Sequence, residues 1–282
     1  MIKYFTIEDL LKHYLQKKFH ILYKREMKGS MKILLIFAAV ITMYVSIIIT
    51  MYDPEMMKTL DSFYEVMPEI MASVGMTAGA TSLIGFMISY LYGFILLVFP
   101  MVFCILRGNG LIAKYVDKGA MAALLAAPIK RRTVAATQAF VLISGILLLV
   151  LYTTGLEIVI AEANFPSELV LSELLKLNAA LLCLHLFIGG ICFLASCIFS
   201  DTKYSITFGA GIPALMYVLQ MLANAGEKAE TAKYFTFFTL FDPNGIIANE
   251  SSAIIGAVAL GIGGVGLYLT GIMIFDKKDL HI

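Results

Sequence analysis

The residues able to do chemistry in this chain are few and widely spaced. His185 stands in an uncharged stretch that also holds Cys183, Cys192 and Cys197, and Cys104 lies in another. A zinc or redox centre needs several such ligands converging, with outer partners that orient them. The chain has no His-Glu-x-x-His string, and no evident carboxylate accompanies the histidine. Buried free cysteine behaves as a small apolar residue, so the four are expected to pack. His185 is expected to be packed and hydrogen-bonded rather than to relay protons. Asp242, followed by Pro243, Asn244 and Gly245, reads as a turn residue or helix cap, with a place on an exit path as the alternative. No Gly-rich loop followed by Lys and Ser or Thr occurs, and such a loop is what cradles phosphates. No catalytic residue and no metal or cofactor of its own is expected. ATP and magnesium, if used, belong to another polypeptide.

The elements that carry these residues follow from composition. Of 282 residues, 60% are hydrophobic and 15% charged, an excess no soluble core can hide. The charges bunch between uncharged stretches at 33–52, 70–106, 133–156, 177–200, 204–226 and 251–275. Each is near or above the roughly 20 residues that cross a bilayer as a helix. The expected fold is all-α and membrane-integral, with six spans at about 33–52, 81–106, 133–156, 177–200, 204–226 and 251–275 in a single domain, 1–282. The long second stretch is read as one span preceded by an interfacial or re-entrant segment.

Two spans there would set the basic loop at Arg107 on the same side as the acidic segment 53–69, against the positive-inside tendency. With one span, Lys and Arg number 17 on the side of the termini and 4 on the other, and 13 of the 20 acidic residues fall on that other side. Both termini are therefore expected to be cytoplasmic, in a multi-pass protein of the plasma membrane. A net charge of +1 disfavours nucleic acid, which needs a concentrated basic surface.

Segment 1–32 carries Ile7, Leu10, Leu11, Tyr14, Leu15, Phe19 and Leu22 at helical spacing, with charges opposite and Thr6 as N-cap. It is expected to be a cytoplasmic amphipathic helix in the interface plane, either anchoring alone or also supporting a gate or attached subunit. Met56, Met57, Leu60, Phe63, Tyr64 and Met67 form a second stripe, expected on the outer surface. Residues 234–247 are apolar but broken, which suits a re-entrant or interfacial hairpin before the last span. Gly256, Gly261, Gly263, Gly264, Gly266 and Gly271 give the last span a small-residue face for close helix packing.

The most informative loop is 107–132. Residues 120–127 are strong helix formers preceded by Gly119 and stopped by Pro128, with Lys130, Arg131 and Arg132 marking the interface. A short helix lying there can pass motion from a soluble partner to the spans. An ordinary amphipathic loop is the other reading.

The order Asp117, Gly119, Leu124, Leu125, Pro128, Arg131, the Phe241-Asp242-Pro243 string and the ending Phe275 to Leu280 resemble the permease subunit of ABC-2 type ATP-binding cassette transporters, in the compact single-chain form of Firmicutes. Ala120 departs from the small hydroxyl residue usual at its position. The resemblance implies an ABC-2 exporter-like fold with a cytoplasmic coupling helix, in which Lys114, Asp117, Gly119, Leu124, Leu125, Pro128 and Arg131 meet a cytoplasmic ABC ATPase. It also implies a second permease copy, the same or paralogous, within the surrounding membrane lipids. Most such systems export, and the apolar walls would suit a drug, lipid or peptide of hydrophobic or amphipathic character. The alternative from another class is a non-transporting membrane scaffold, sensor or peptide-immunity protein.

Overall fold

The computed structural model describes residues 7–53, 66–73, 82–126, 129–225 and 227–279, with side chains left aside at 7–18 and 227–230. Every described element is helical. Six helices are long and apolar enough to cross a membrane, which makes this a multi-pass membrane protein. The first is Ile7–Thr50. The second starts as Leu83–Met87, passes through a π-helical stretch Ile88–Ile95 and ends as Leu96–Gly108. The third to sixth are Arg131–Asn164, Leu171–Ile198, Thr202–Asn224 and Ser251–Lys277.

Several expectations need correction or refinement. Segment 7–32 is not a separate interfacial helix. It runs without a break into the first span, because Gly29 is the one glycine there and no proline interrupts the ladder. At 1.5 Å per residue the 44-residue helix is about 66 Å long, twice what a bilayer core needs. The third helix passes the expected end at 156 and carries Glu157 into the packed bundle. The 70–106 stretch does hold one long helix, preceded by the short helix Pro68–Ser73. Thr6, Pro128 and the stripe from Met56 to Tyr64 lie outside the described residues.

The fourth helix is the hub. It packs against the second, third, fifth and sixth long helices and the short helix Pro243–Ile247. Its contact with the sixth is the most extensive in the molecule. Glycines make it close: a Cβ on Gly264 would stand 2.9 Å from the Phe187 nitrogen, and one on Gly190 3.1 Å from the Gly264 carbonyl oxygen. By contrast the first helix lies mainly on the third. Tyr23 donates to Ser144 at 2.8 Å along that seam.

The hub also repairs its neighbours. Pro100 has no N–H to return to the Leu96 carbonyl, which inside an apolar bundle would stay unsatisfied. His185 Nε2 lies 2.9 Å from that oxygen, so the proton sits on Nε2. Pro213 orphans the Gly209 carbonyl in the same way, and the Cys192 thiol donates to it at 3.0 Å. His185 and Cys192, two helical turns apart, thus have a structural role that needs no metal.

Replacing His185 by Leu should cost about 1 kcal/mol, within the range of hydrogen bonds measured between membrane helices. The cost should shrink in a Pro100→Ala background, which restores the missing N–H. Unfolding of the four proteins in one detergent gives the cycle. Equal costs in both backgrounds would mean that the Leu96 carbonyl is not the reason.

Candidate functional site

The charges sort the bundle into two ends. The basic end gathers the N-terminal part of the first helix, residues 107–126 and 129–132, residues 199–203 and the end of the sixth helix. The acidic end gathers 52–53, 66–73, 162–176, 225 and 227–250.

At the basic end the second helix stops at Gly108, and Asn109 begins a turn that hangs from other helices. Asn109 is buried; its Nδ2 donates to the Ile105 carbonyl at 2.9 Å, and its Oδ1 accepts from the buried Ser205 hydroxyl of the fifth helix at 2.9 Å. Ser196 of the fourth helix then holds the next residues. Its Oγ accepts from the Ile112 and Ala113 N–H groups at 3.2 and 2.9 Å and donates to the Asn109 carbonyl at 3.3 Å. These groups are buried, so the bonds replace water that cannot reach them.

From this anchor two short helices extend, Ala113–Asp117 and Ala120–Ala126. Gly119 joins them at φ +69°, in the left-handed region that favours glycine, and its N–H closes on the Val116 carbonyl at 3.0 Å. Met121 is fully buried and pins the second short helix, while Leu124 and Leu125 are half-buried against the core. Lys114, Asp117, Gly119, Ala122, Ala123 and Ala126 are exposed. The result is a platform with an apolar underside and a free face of small and charged residues.

Tyr115 reaches back to the first helix, donating to Glu26 Oε1 at 2.6 Å. Arg131 stands apart from the platform's free face. Its Nη1 donates to the Lys278 carbonyl at 2.6 Å. Lys278 Nζ in turn donates to the Cys197 and Ile198 carbonyls at 3.1 and 2.8 Å, capping the C-terminal end of the fourth helix. Burial pushes the Lys278 ammonium below its usual pKa, and the nearby Cys197 opposes that shift. Third, fourth and sixth helices are clipped together at this corner.

The acidic end holds the second polar cluster. Glu157 of the third helix is fully buried, and its Oε2 accepts from Tyr92 of the π-helical stretch at 3.0 Å and from Asn178 of the fourth helix at 2.8 Å. Its Oε1 has no partner among the described residues. Nearby, the 234–247 segment folds as 3-10 turns and the short helix Pro243–Ile247. Asp242 is that helix's cap, its Oδ1 accepting from the Gly245 N–H at 3.1 Å. The same helix closes through Asn249, at φ +58°, with Asn249 and Glu250 N–H groups returning to the Ile246 and Gly245 carbonyls.

Of the residues picked from sequence, Lys114, Asp117, Gly119, Leu124 and Leu125 thus share one platform, Arg131 belongs to the corner clip, and Pro128 is outside the described residues. Sequence reasoning missed Asn109, Ser196, Ser205, Tyr92, Glu157 and Asn178. The heptad spacing of Asn178, His185 and Cys192 was the available signal, since it puts three polar side chains on one helix face. Comparison with family models, curated proteins and solved structures finds no match.

Ser196→Ala removes the acceptor for two buried N–H groups, each worth about 1–3 kcal/mol when left unmade. Amide hydrogen exchange over 109–119 should therefore accelerate strongly while the sixth helix keeps its protection. Unchanged exchange in the turn would show that Ser196 does not hold the platform.

Proposed function

We propose that this chain is the membrane subunit of an ABC-2 type transporter, driven by a separate cytoplasmic ATPase that docks on the platform. The observation that carries the reading is that platform: two short helices bent at Gly119, seated on the bundle by Met121, Leu124 and Leu125, with their other face free. A partner bound to the free face acts on helices that are bonded to it through Ser196 and Asn109. In this reading the basic end is cytoplasmic, as the positive-inside bias requires, and the plasma membrane is the site of action. A second copy of the chain, or a paralogue, completes the transporter. The substrate leaves the cell and is hydrophobic or amphipathic. The ATPase binds ATP and magnesium, and this chain does neither.

The structure changes which substitutions address docking. Leu124 and Leu125 face the bundle, so charges there would unseat the platform itself. Ala122 and Ala123 are exposed and small, and a large side chain there meets a partner first. Ala122→Trp should leave the thermal unfolding of the purified chain unchanged while sharply reducing the ATPase that accompanies it from native membranes. Mass spectrometry identifies that ATPase by its phosphate-binding loop, and ATP turnover measures it. Wild-type protein without such a partner, or equal recovery with Ala122→Trp, would overturn the reading.

Orientation is tested separately. In a background with the native cysteines replaced, Cys192 by serine to keep its donor, single cysteines are placed at Lys58, Lys228 and Lys118. An impermeant maleimide on intact cells should label the first two and spare the third; the reverse pattern would invert the topology.

A further inference from the structure

At the acidic end a cavity of about 410 Å³ lies between the second and fifth long helices, beside the turns 237–244. That is the size range of small-molecule sites. The π-helical stretch forms one wall, contributing Tyr92, whose hydroxyl is already committed to Glu157. Tyr217, Phe238 and Phe241 supply aromatic surface, and Gln220 and Asp242 polar groups.

Three features define what would fit. Among the described residues, no lysine, arginine or histidine lines the cavity. Asp242 spends Oδ1 on the helix cap, forms no ion pair among the described residues, and is exposed. Tyr217 is 7% exposed, yet its buried hydroxyl has no hydrogen-bond partner among the described residues. An anion would meet a carboxylate that no basic side chain among the described residues pairs. A cation would meet that carboxylate and the negative faces of aromatic rings.

We propose that this cavity binds an organic cation with an apolar body, its charge toward Asp242 and its body against Tyr217, Phe238 and Phe241. The site belongs to this chain alone and stands whether or not an ATPase docks at the other end.

The test uses the full chain in nanodiscs of zwitterionic lipid and two probes of the same shape and opposite charge, tetraphenylphosphonium and tetraphenylborate. Equilibrium dialysis against empty nanodiscs separates binding from partition into lipid. Tetraphenylphosphonium should show one saturable component, and tetraphenylborate only unsaturable partition. Asp242→Asn keeps a capping side chain and should weaken tetraphenylphosphonium binding about threefold, the size expected of a charge pair at an exposed carboxylate. Tyr217→Leu removes one of the aromatic faces and should weaken it about threefold, as expected for one cation–π contact. Unchanged thermal unfolding of both variants ties the weaker binding to the cavity. Saturable tetraphenylborate binding of equal affinity, absence of saturable tetraphenylphosphonium binding, or wild-type affinity in both variants would overturn the proposal. None of those results would touch recovery of the ATPase, which is read at the opposite end.

Discussion

Two prolines open the backbone ladders of the second and fifth long helices, and one neighbouring helix closes both. Inside hydrocarbon no water can accept this task, so a carbonyl freed by proline must find a protein donor. His185 meets the Leu96 carbonyl and Cys192 meets the Gly209 carbonyl. Because the donors sit on one face of the fourth helix, that helix cannot rotate or slide without orphaning both oxygens. Its close glycine contact with the sixth helix adds a steric limit to the same motion. The rest of the bundle is arranged around a helix whose register is over-determined.

The same face extends this logic to both ends. Seven residues before His185, Asn178 donates to Glu157, and four residues after Cys192, Ser196 holds the turn that starts the platform. Polar side chains in a membrane bundle are costly unless paired. Here they join the fourth helix to the second, third and fifth helices and to the turn that starts the platform. Glu157 Oε1, Asn178 Oδ1 and His185 Nδ1 depart from this pattern, since none has a partner among the described residues.

Much of this architecture was legible in the sequence because bilayer thickness and charge distribution leave few solutions. Six uncharged stretches became six long helices, and the 70–106 stretch became one of them rather than two. Gly119 read as the residue that precedes the helix-forming run 120–127, and its positive φ gives the reason it stands there. What could not be read was which polar residues face inward. Glu157 closes an uncharged stretch, so counting charges sets it outside, whereas packing draws it in through Tyr92 and Asn178 from distant segments. The flat amphipathic helix failed for a related reason. Periodicity reports a face, but the bend that would lay that face on a membrane needs a helix breaker, and the junction offers only Gly29 and no proline, so the helix runs on.

Both ends are bonded to the fourth helix, and that bears on how a signal would cross the molecule. The platform is bonded to the fourth and fifth helices by Ser196 and Asn109, and the third and sixth meet the fourth at the Arg131–Lys278 corner. The basic end is therefore bonded directly to the fourth helix. At the acidic end that helix meets Glu157 and, through it, Tyr92 in the π-helical stretch. A π-helix is a strained variant of the α-helical ladder, often found at functional sites, and shifting one residue's hydrogen bonds moves it along the chain. Tyr92 lines the acidic-end cavity. Platform, hub helix, buried carboxyl and cavity wall thus form one continuous series of direct contacts. The prolines that would have weakened this series are the points at which the hub is bonded most specifically to its neighbours.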